Sequence, residues 1–331
     1  MPILKKFKAR AKSLDATIVL PESYEERTLT AAAKIIADRL CKVLLVGEEN
    51  VIREKAGKLG LDISAAEIIN PVSYAKTEEF AQYLYQKRKE KGLSYEEALL
   101  TIHRPLFFGA CLVKFGIASG MVAGAENTTA DVLKAALQVV GVTPGLKTVS
   151  STFIMVIPDF KGEDALFFFA DSAVVPNPSA EQLADIAMST AKTRKAIVGD
   201  EPKVALLSFS TKGSAKHELV DKVTEALAIL TDRKVDFDFD GELQLDAAII
   251  PEIAAMKAPD SKVAGHANTL IFPDLQAGNI GYKLVQRFAK AKAIGPIIQG
   301  LAAPICDLSR GCSIDDIVNT TVLVILMSAQ E

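Results

Sequence analysis

Residues 306–318, CDLSRGCSIDDIV, place a serine, an arginine, two acids and two cysteines in one short segment before an apolar run. Ser313 followed three residues later by Asp316 matches a capping box with Asp in place of Glu, which predicts a helix start. The same geometry brings Ser309 and Arg310 beside a helix N-terminus, which suits a phosphate or a developing oxyanion. An acid on the first turn is then placed to act as a general base. A helix cap and a reactive site can occur together in this segment, so both interpretations stay open at this point.

A second polar segment, SFSTKGSAKH at residues 208–217, follows a predicted strand and opens a helix. Its small residues, which include Ser210 and Thr211, let backbone N–H groups approach an anion. The alternative is an ordinary strand-to-helix turn with Ser214 as the helix cap. The Walker A pattern GxxxxGK[ST] is absent, so this segment does not indicate an ATPase-type phosphate loop.

A third segment, GIASGMVAGAENTTADVLK at residues 116–134, carries three glycines at a spacing of four. That spacing does not meet the dinucleotide fingerprint GxGxxG. Thr128 or Thr129 is predicted to cap the following helix, and the same polar residues could form a second edge of a binding site. GNIGYK at residues 278–283 predicts another helix start, with Asn279 near its cap.

Apolar strand patterns alternate with longer helical patterns along the chain, as in TIVLPES, EERTLTAAAKIIADRL and CKVLLVGE. This βαβ rhythm predicts the α/β class, with a mostly parallel sheet covered by helices. A second block begins after the Pro-Gly pair at 144–145, where two apolar runs separated by DFKGE predict a hairpin. The predicted domains are 1–146 with about 315–331, and 147–314, with a cleft between them.

The composition fits a folded chain of two domains, with 331 residues, 49% of them apolar and 24% charged. The net charge is −3 and the cations are scattered, so there is no basic block to hold nucleic acid. No signal peptide is recognised, and the run at 320–327 is too short to span a membrane. The four cysteines and three histidines lack metal-site spacing, so no metal is expected, and reduced thiols point to the cytoplasm.

Four segments resemble phosphate acetyltransferase of the short, single-module type: HRPLFFGACLVKFGIASGMVAGAENTTADVLKAALQ, SFSTKGSA, FPDLQAGNIGYKLVQR and APICDLSRGCSIDDIV. The resemblance covers essentially the whole chain. It implies an acyltransferase of acetate metabolism that interconverts acetyl-CoA plus phosphate and acetyl phosphate plus CoA. It also implies two α/β domains of the isocitrate/isopropylmalate dehydrogenase-like type, an active site in their cleft, a homodimer, and coenzyme A as a substrate without a tightly bound cofactor.

The resemblance places Ser309, Arg310 and Asp316 at the reaction centre. The residue types suit a ternary complex in which Asp316 takes the thiol proton of CoA and the thiolate attacks the acetyl carbonyl carbon. Ser309 then donates to the oxyanion, and the guanidinium of Arg310 holds the phosphoryl group. Local desolvation would have to bring the pKa of a carboxylate closer to that of a thiol.

The resemblance also implies a CoA-binding arginine at Arg88 and a second one where this chain has Lys134. A lysine holds a phosphate as a point charge and cannot form a bidentate fork. The remaining predicted substrate-binding residues are Thr128, Thr129, Ser210, Thr211, Asn279, Tyr282 and Lys283.

Three alternatives remain beside this prediction. Phosphate butyryltransferase is the same chemistry on a longer acyl chain, and one methylene changes specificity by only ~1–3 kcal/mol. An NAD(P)-dependent decarboxylating dehydrogenase on a related fold would need clustered acids for a metal and a nucleotide loop, and neither pattern occurs. A non-catalytic regulatory module, like the C-terminal part of larger malic enzymes, would not need the Ser, Arg and Asp that this chain keeps.

Overall fold

The computed structural model describes residues 2–329, which form two compact units, 2–143 with 301–329, and Pro144–Gly300. The chain returns to the first unit at Leu301, earlier than the residue near 315 expected from the sequence. The reason is the strand Ile305–Asp307, which pairs with a strand of the first unit. Within residues 2–329, no helix combines the length and apolar character needed to cross a membrane.

The first unit begins with four strands, β1 Thr17–Leu20, β2 Lys42–Val46, β3 Glu67–Ile69 and β4 Gly120–Ala123. Its first helices are α1 Pro2–Lys12, α2 Glu26–Ala37, α3 Glu49–Lys58, α4 Thr77–Arg88, α5 Tyr95–Ile102, α6 Pro105–Lys114 and α7 Thr129–Val139, with a short 3₁₀ helix at Lys89–Lys91.

The second unit contains the strands β5 Ser150–Phe160, β6 Glu163–Ala170, β7 Lys203–Leu207, β8 Asp238–Leu243, β9 Thr269–Ile271 and β10 Lys292–Gln299. Its helices are α8 Ala180–Val198, α9 Glu218–Asp232, α10 Leu245–Ile249, α11 Pro251–Lys257 and α12 Leu275–Phe288. The chain then completes the first unit with β11 Ile305–Asp307 and α13 Ile314–Ser328.

The sheet of the first unit has the order β11-β4-β1-β2-β3, and every neighbouring pair is parallel. Helix α6, PLFFGACLVK, is apolar on all sides and buries eight residues in the core. Because β11, β4 and β1 are parallel neighbours, the segments that follow them leave the same edge of the sheet. The CDLSRGCS segment therefore lies beside the segments after β1 and β4.

The sheet of the second unit is mixed, with the order β10-β5-β6-β9-β7-β8. The predicted hairpin around DFKGE is confirmed, since β5 and β6 pair antiparallel, and β10 also runs antiparallel to β5. Only β6, β9, β7 and β8 are parallel. The apolar segment ELQLDAAIIPEIAAMK does not form a single helix, because β8 takes its first residues and Pro251 separates α10 from α11. The residue before a proline is driven out of helical geometry, and Ile250 has φ −113° and ψ 111°.

Candidate active site

The loop after β11 carries Ser309 and Arg310, the first turn of α13 carries Asp316, and the predicted capping box between Ser313 and Asp316 is confirmed. The Ser313 side chain accepts from Asp316 N at 3.1 Å, and Asp316 Oδ2 accepts from Ser313 N at 2.9 Å. The Ser313 hydroxyl also donates to Asp316 Oδ2 at 2.8 Å. The acid is thus fixed on the first turn of α13, as the sequence pattern predicts.

Ser309, Arg310 and Asp316 are all exposed in the first unit. Ser309 Oγ accepts from Gly311 N at 3.2 Å, and Cys312 N donates to Ser309 O at 2.8 Å, which closes a tight turn. The guanidinium of Arg310 has no hydrogen bond or ion pair to any residue of the described range 2–329. Its charge is therefore open to an anion.

Arg27, which the sequence pattern did not single out, fixes this turn to the loop after β4. Its Nη1 donates to Arg310 O at 2.8 Å and to Cys312 O at 2.9 Å, while Nη2 donates to Ala125 O at 2.8 Å. Its Nε is paired with Glu25 at 2.6 Å. One planar guanidinium therefore holds two loops that are far apart in sequence.

Glu22, at the end of β1, organises the loop after β4 in a second way. Its carboxylate is 4% exposed and accepts from the backbone N–H groups of Gly124, Ala125, Glu126 and Asn127 at 2.8–3.2 Å. Asn127 Nδ2 adds a fifth hydrogen bond at 2.9 Å. A buried polar group is stabilised when it is hydrogen-bonded, so Glu22 serves as the internal acceptor around which this loop folds.

Asp307, two residues before Ser309, is a buried acid in the same region. It is 3% exposed, and Thr129 Oγ1 donates to its Oδ2 at 2.5 Å. Its Oδ1 has no hydrogen-bond partner in the described part of the chain. Burial, against the smaller effect of the Thr129 hydrogen bond, raises the pKa of Asp307 to about 6.

The two predicted threonines have different local roles. Thr128 is the N-cap of α7, as predicted, and its side chain accepts from Asp131 N at 3.2 Å. The hydroxyl of Thr129 is bound to Asp307 instead. Gly124 permits this close packing, because a Cβ there would lie 2.3 Å from Asp307 Oδ1 and its φ is +104°.

The cysteine of the SRGC turn does not favour a thiolate. Cys312 is buried, and that burial raises the pKa of its thiol, while Arg27 nearby opposes the shift. Burial likewise raises the pKa of Cys41 and Cys111 to about 12. A thiolate is the nucleophilic form, so none of these three thiols is activated for attack.

Arg88 and Lys134 line one pocket of the first unit, whose volume is about 290 Å³. Arg88 is the last residue of α4, and Lys134 lies on the second turn of α7. The structure thus brings together two cations that are 46 positions apart in the chain. Neither side chain has a hydrogen bond or ion pair to residues 2–329.

In the second unit, Ser210 and Thr211 lie in the loop after β7, and both are buried. Ser210 Oγ donates to Glu242 Oε1 at 2.9 Å, and Thr211 Oγ1 accepts from Gln244 N at 2.9 Å. Their hydroxyls hold this loop to the end of β8. The helix cap expected at Ser214 is wrong, because α9 begins at Glu218 with His217 as its N-cap.

The last three predicted residues, Asn279, Tyr282 and Lys283, all lie on α12 of the second unit. This helix begins at Leu275 with Asp274 as its N-cap, so Asn279 lies on the second turn and not near the cap as predicted. The Tyr282 ring is stacked on Phe153, with centroids 4.2 Å apart. Lys283 Nζ lies 5.8 Å from the centre of the Tyr282 ring.

Among residues 2–329, no group of three or more His, Cys, Asp or Glu side chains is arranged to hold a metal ion.

Comparison with known proteins identifies the family. The profile of the family described as phosphate acetyl/butaryl transferase matches residues 2–325, and the chain belongs to this family. The resemblance seen in the sequence is thereby confirmed.

A curated relative named phosphate acetyltransferase, from Clostridium acetobutylicum, is 54% identical over 319 residues, covering 96% of each chain. The crystal structure of a phosphotransacetylase from Streptococcus pyogenes matches with a TM-score of 0.93 at 42% identity, covering 100% of this chain and 99% of the other. The EutD phosphotransacetylase from Staphylococcus aureus matches with a TM-score of 0.91 at 40% identity, covering 99% and 98%.

Proposed function

We propose that this chain is a phosphate acetyltransferase, which interconverts acetyl-CoA plus orthophosphate and acetyl phosphate plus CoA. The observation that carries the proposal is the match over nearly the full length to relatives of that name. Ser309 and Arg310 on the loop after β11, and Asp316 on the first turn of α13, support it with residue types that suit acyl transfer.

The reaction toward acetyl-CoA needs one proton transfer and one displacement. Asp316 accepts the proton of the CoA thiol, and the thiolate sulfur forms a bond to the carbonyl carbon of acetyl phosphate. The bond from that carbon to the phosphate oxygen then breaks, and orthophosphate leaves. The Ser309 hydroxyl donates to the oxyanion, and Arg310 holds the phosphoryl oxygens with its planar fork.

The contacts of Asp316 are compatible with this role. Its Oδ2 is used by the capping box, while Oδ1 has no hydrogen bond within residues 2–329 and can accept a proton. The carboxylate is exposed, and a carboxylate in water is a weak base toward a thiol. The bound substrates must therefore cover Asp316 and exclude water from it.

The wider arrangement is proposed on the same basis. The two units are isocitrate/isopropylmalate dehydrogenase-like domains. Both units contribute polar segments at the carboxyl ends of parallel strands, where ligands of open α/β sheets bind. The substrates are small molecules, the enzyme is a cytoplasmic homodimer, and no tightly bound cofactor takes part.

The direct test is thioester formation from CoA and acetyl phosphate by the purified protein, without added metal or nicotinamide. Butyryl phosphate is assayed in parallel, because the family description includes both acyl groups. Acetyl transfer faster than butyryl transfer is expected. Transfer of butyryl alone would overturn the choice of substrate, and transfer of neither would favour a regulatory module.

The variant Asp316→Asn tests the base. Asparagine can still accept from Ser313 N, so the helix cap should remain. We expect kcat to fall by about 10²–10⁴-fold with little change in KM, since general-base catalysis contributes factors of that order. Asp315→Asn is the matched control, because this neighbouring acid is exposed and paired with Lys34. If Asp316→Asn kept kcat near that of Asp315→Asn, Asp316 would not be the base.

A further inference from the structure

Thr129 and Asp307 form a hydrogen bond that joins the surface of the first unit to its core. Thr129 is the first residue of α7 and is exposed, whereas Asp307 ends β11 and is 3% exposed. Thr129 Oγ1 and Asp307 Oδ2 lie 2.5 Å apart. The buried acid therefore meets an exposed residue at this hydroxyl.

The direction of this hydrogen bond depends on the charge of Asp307. An ionised carboxylate has no proton to donate, so Thr129 must then be the donor. A protonated carboxyl has one O–H group, and it can donate to Thr129 Oγ1 from Oδ2, whereas Oδ1 has no hydrogen-bond partner within residues 2–329. Protonation thus reverses the hydrogen bond and turns the hydroxyl proton of Thr129 away from Asp307.

The packing around Asp307 holds the carboxyl group in this orientation. A Cβ at Gly124 would lie 2.3 Å from Asp307 Oδ1 and 2.6 Å from Leu308 N, so the backbone of this loop packs directly on Oδ1. A proton on Oδ1 would face this backbone without an acceptor, which is unfavourable for a buried polar group. The oxygen that carries the proton is therefore Oδ2, beside Thr129.

The charged groups around Asp307 do not supply it with a cation. Burial raises the pKa of Asp307 to about 6, and the Glu22 carboxylate after β1 adds to the rise. Glu126, before α7, and Lys134, on its second turn, are exposed. The other charged groups on the neighbouring elements have partners of their own: Arg27 of α2, Asp131 of α7, and Asp315 and Asp316 of α13.

The hydroxyl of Thr129 belongs to the loops that carry the proposed reaction centre. Asp307 is two residues before Ser309, and Arg27 holds the loop before α7 to the turn at Arg310. The guanidinium of Arg310 is open to an anion, as described above. The oxygen atoms of that anion accept hydrogen bonds, and a neighbouring hydroxyl serves them only when its proton points outward.

We propose that Thr129 contacts the phosphoryl group and that Asp307 is its positioning residue: protonated Asp307 donates to Thr129 Oγ1 and frees the Thr129 hydroxyl proton for an oxygen of the anion. When Asp307 is ionised, the same hydroxyl presents only lone pairs, which repel the anion. The assignment rests on the proposed function, which supplies the phosphoryl group. Anion binding and protonation of Asp307 are therefore linked, and each favours the other.

Sulfate binding tests the proposal without turnover, because sulfate is a dianion that does not titrate near neutral pH. Titration calorimetry in two buffers of different ionisation enthalpy measures the protons taken up with each anion. Since the pKa of Asp307 is about 6 without an anion, we expect uptake of more than about 0.5 proton per sulfate at about pH 7. The sulfate affinity should fall by about 10- to 50-fold between about pH 6 and pH 8.

Three variants assign the proton. Asp307→Asn does not ionise, so its sulfate affinity should vary by less than about 3-fold over this pH range, whichever amide group faces Thr129. Thr129→Val removes the hydroxyl, so it should lower the affinity at about pH 6 by about 10-fold and lose the pH dependence. Thr129→Ser keeps the hydroxyl and should retain both properties.

Thr30→Val is the matched control for the loss of a threonine hydroxyl, because Thr30 Oγ1 donates to Glu26 O within α2. Its sulfate affinity and proton uptake should equal those of the wild type. Thermal unfolding of each variant establishes that it is folded before binding is compared.

Three results would overturn the proposal. One is the absence of sulfate binding to the wild type. Another is a wild-type pH dependence in Asp307→Asn, which would assign the proton to a different group. The third is an unchanged pH dependence in Thr129→Val, which would show that Asp307 repels the anion through space and not through the hydroxyl. Failure of acetyl transfer in the enzyme assay would instead overturn the proposed function, and proton uptake with sulfate would still be measurable.

Discussion

Replacing Asp307 with asparagine should remove a pH dependence of stability that the wild-type chain carries. Asp307 is buried, and among residues 2–329 only its Oδ2 has a hydrogen-bond partner, the hydroxyl of Thr129. Burial raises its pKa from the ordinary value of 3.8 to about 6, and the nearby Glu22 carboxylate adds to the rise. The folded state therefore favours the protonated form of Asp307, and ionisation of its carboxyl lowers the free energy of unfolding.

The size and sign of the effect follow from the linkage between proton binding and folding. Between the unfolded and folded pKa values the native state binds more protons, so the free energy of unfolding falls as pH rises. For an acid that titrates at 3.8 unfolded and about 6 folded, the loss between about pH 5 and pH 8 is about 1.4 kcal/mol. Asparagine has nearly the same shape, can still accept from Thr129 and does not ionise. Asp307→Asn should therefore lack this loss.

The assay is urea unfolding of both proteins, followed by circular dichroism at several values between about pH 5 and pH 8. The quantity of interest is the difference between the two free energies of unfolding, which cancels the titration of every other group. We expect Asp307→Asn to gain on the wild type as pH rises, by about 1–2 kcal/mol over the range. If this difference stayed constant with pH, burial would not raise the pKa of Asp307. If the wild type gained on Asp307→Asn as pH rises, the folded state would stabilise the ionised carboxylate.

Two further predictions concern the same loop. Arg27→Lys should lower kcat by about 10-fold or more and destabilise the fold by about 1–3 kcal/mol. The reason is that one ammonium cannot hold Arg310 O, Cys312 O and Ala125 O together. A normal kcat with reduced stability would limit Arg27 to a structural role. Cys312→Ala should keep most of kcat and form no acyl-enzyme from labelled acetyl phosphate in the absence of CoA, because burial keeps this thiol protonated. If the wild-type protein became labelled and Cys312→Ala did not, direct transfer in a ternary complex would be contradicted.

Much of the local structure was predictable because it depends on short-range patterns. The capping box at Ser313 and Asp316, the Thr128 cap and the hairpin around DFKGE each follow from a few neighbouring residues, and all three are confirmed. The wrong predictions concern helix starts where more than one nearby residue could serve as the N-cap. Ser214 is a favoured cap by residue type, yet α9 begins after His217, whose Nδ1 accepts from Leu219 N. Asp274 precedes Asn279 with an equally good side chain, so residue type alone did not select the helix starts.

Site residues outside the recognised motifs could not be predicted in the same way. Glu22 and Arg27 both follow β1 and Asp307 ends β11, and their roles depend on which strands become neighbours. A charged residue after a strand is common, and nothing in its local sequence tells whether a partner loop will supply N–H or carbonyl groups. The one available signal is an acid at the carboxyl end of a predicted parallel strand, where ligand sites form.

The sequence by itself determined the α/β class, the caps at Thr128 and Ser313, the family and the identity of the polar loops, because periodicity and motif spacing are properties of the chain alone. Only the tertiary structure decided that Arg27 joins the turn at Arg310 to the loop at Ala125, and that Arg104 lines the same pocket as Arg88 and Lys134. The physical reason is that such contacts join residues tens to hundreds of positions apart. Their geometry is fixed by strand order and helix packing, and not by any pattern within a short segment.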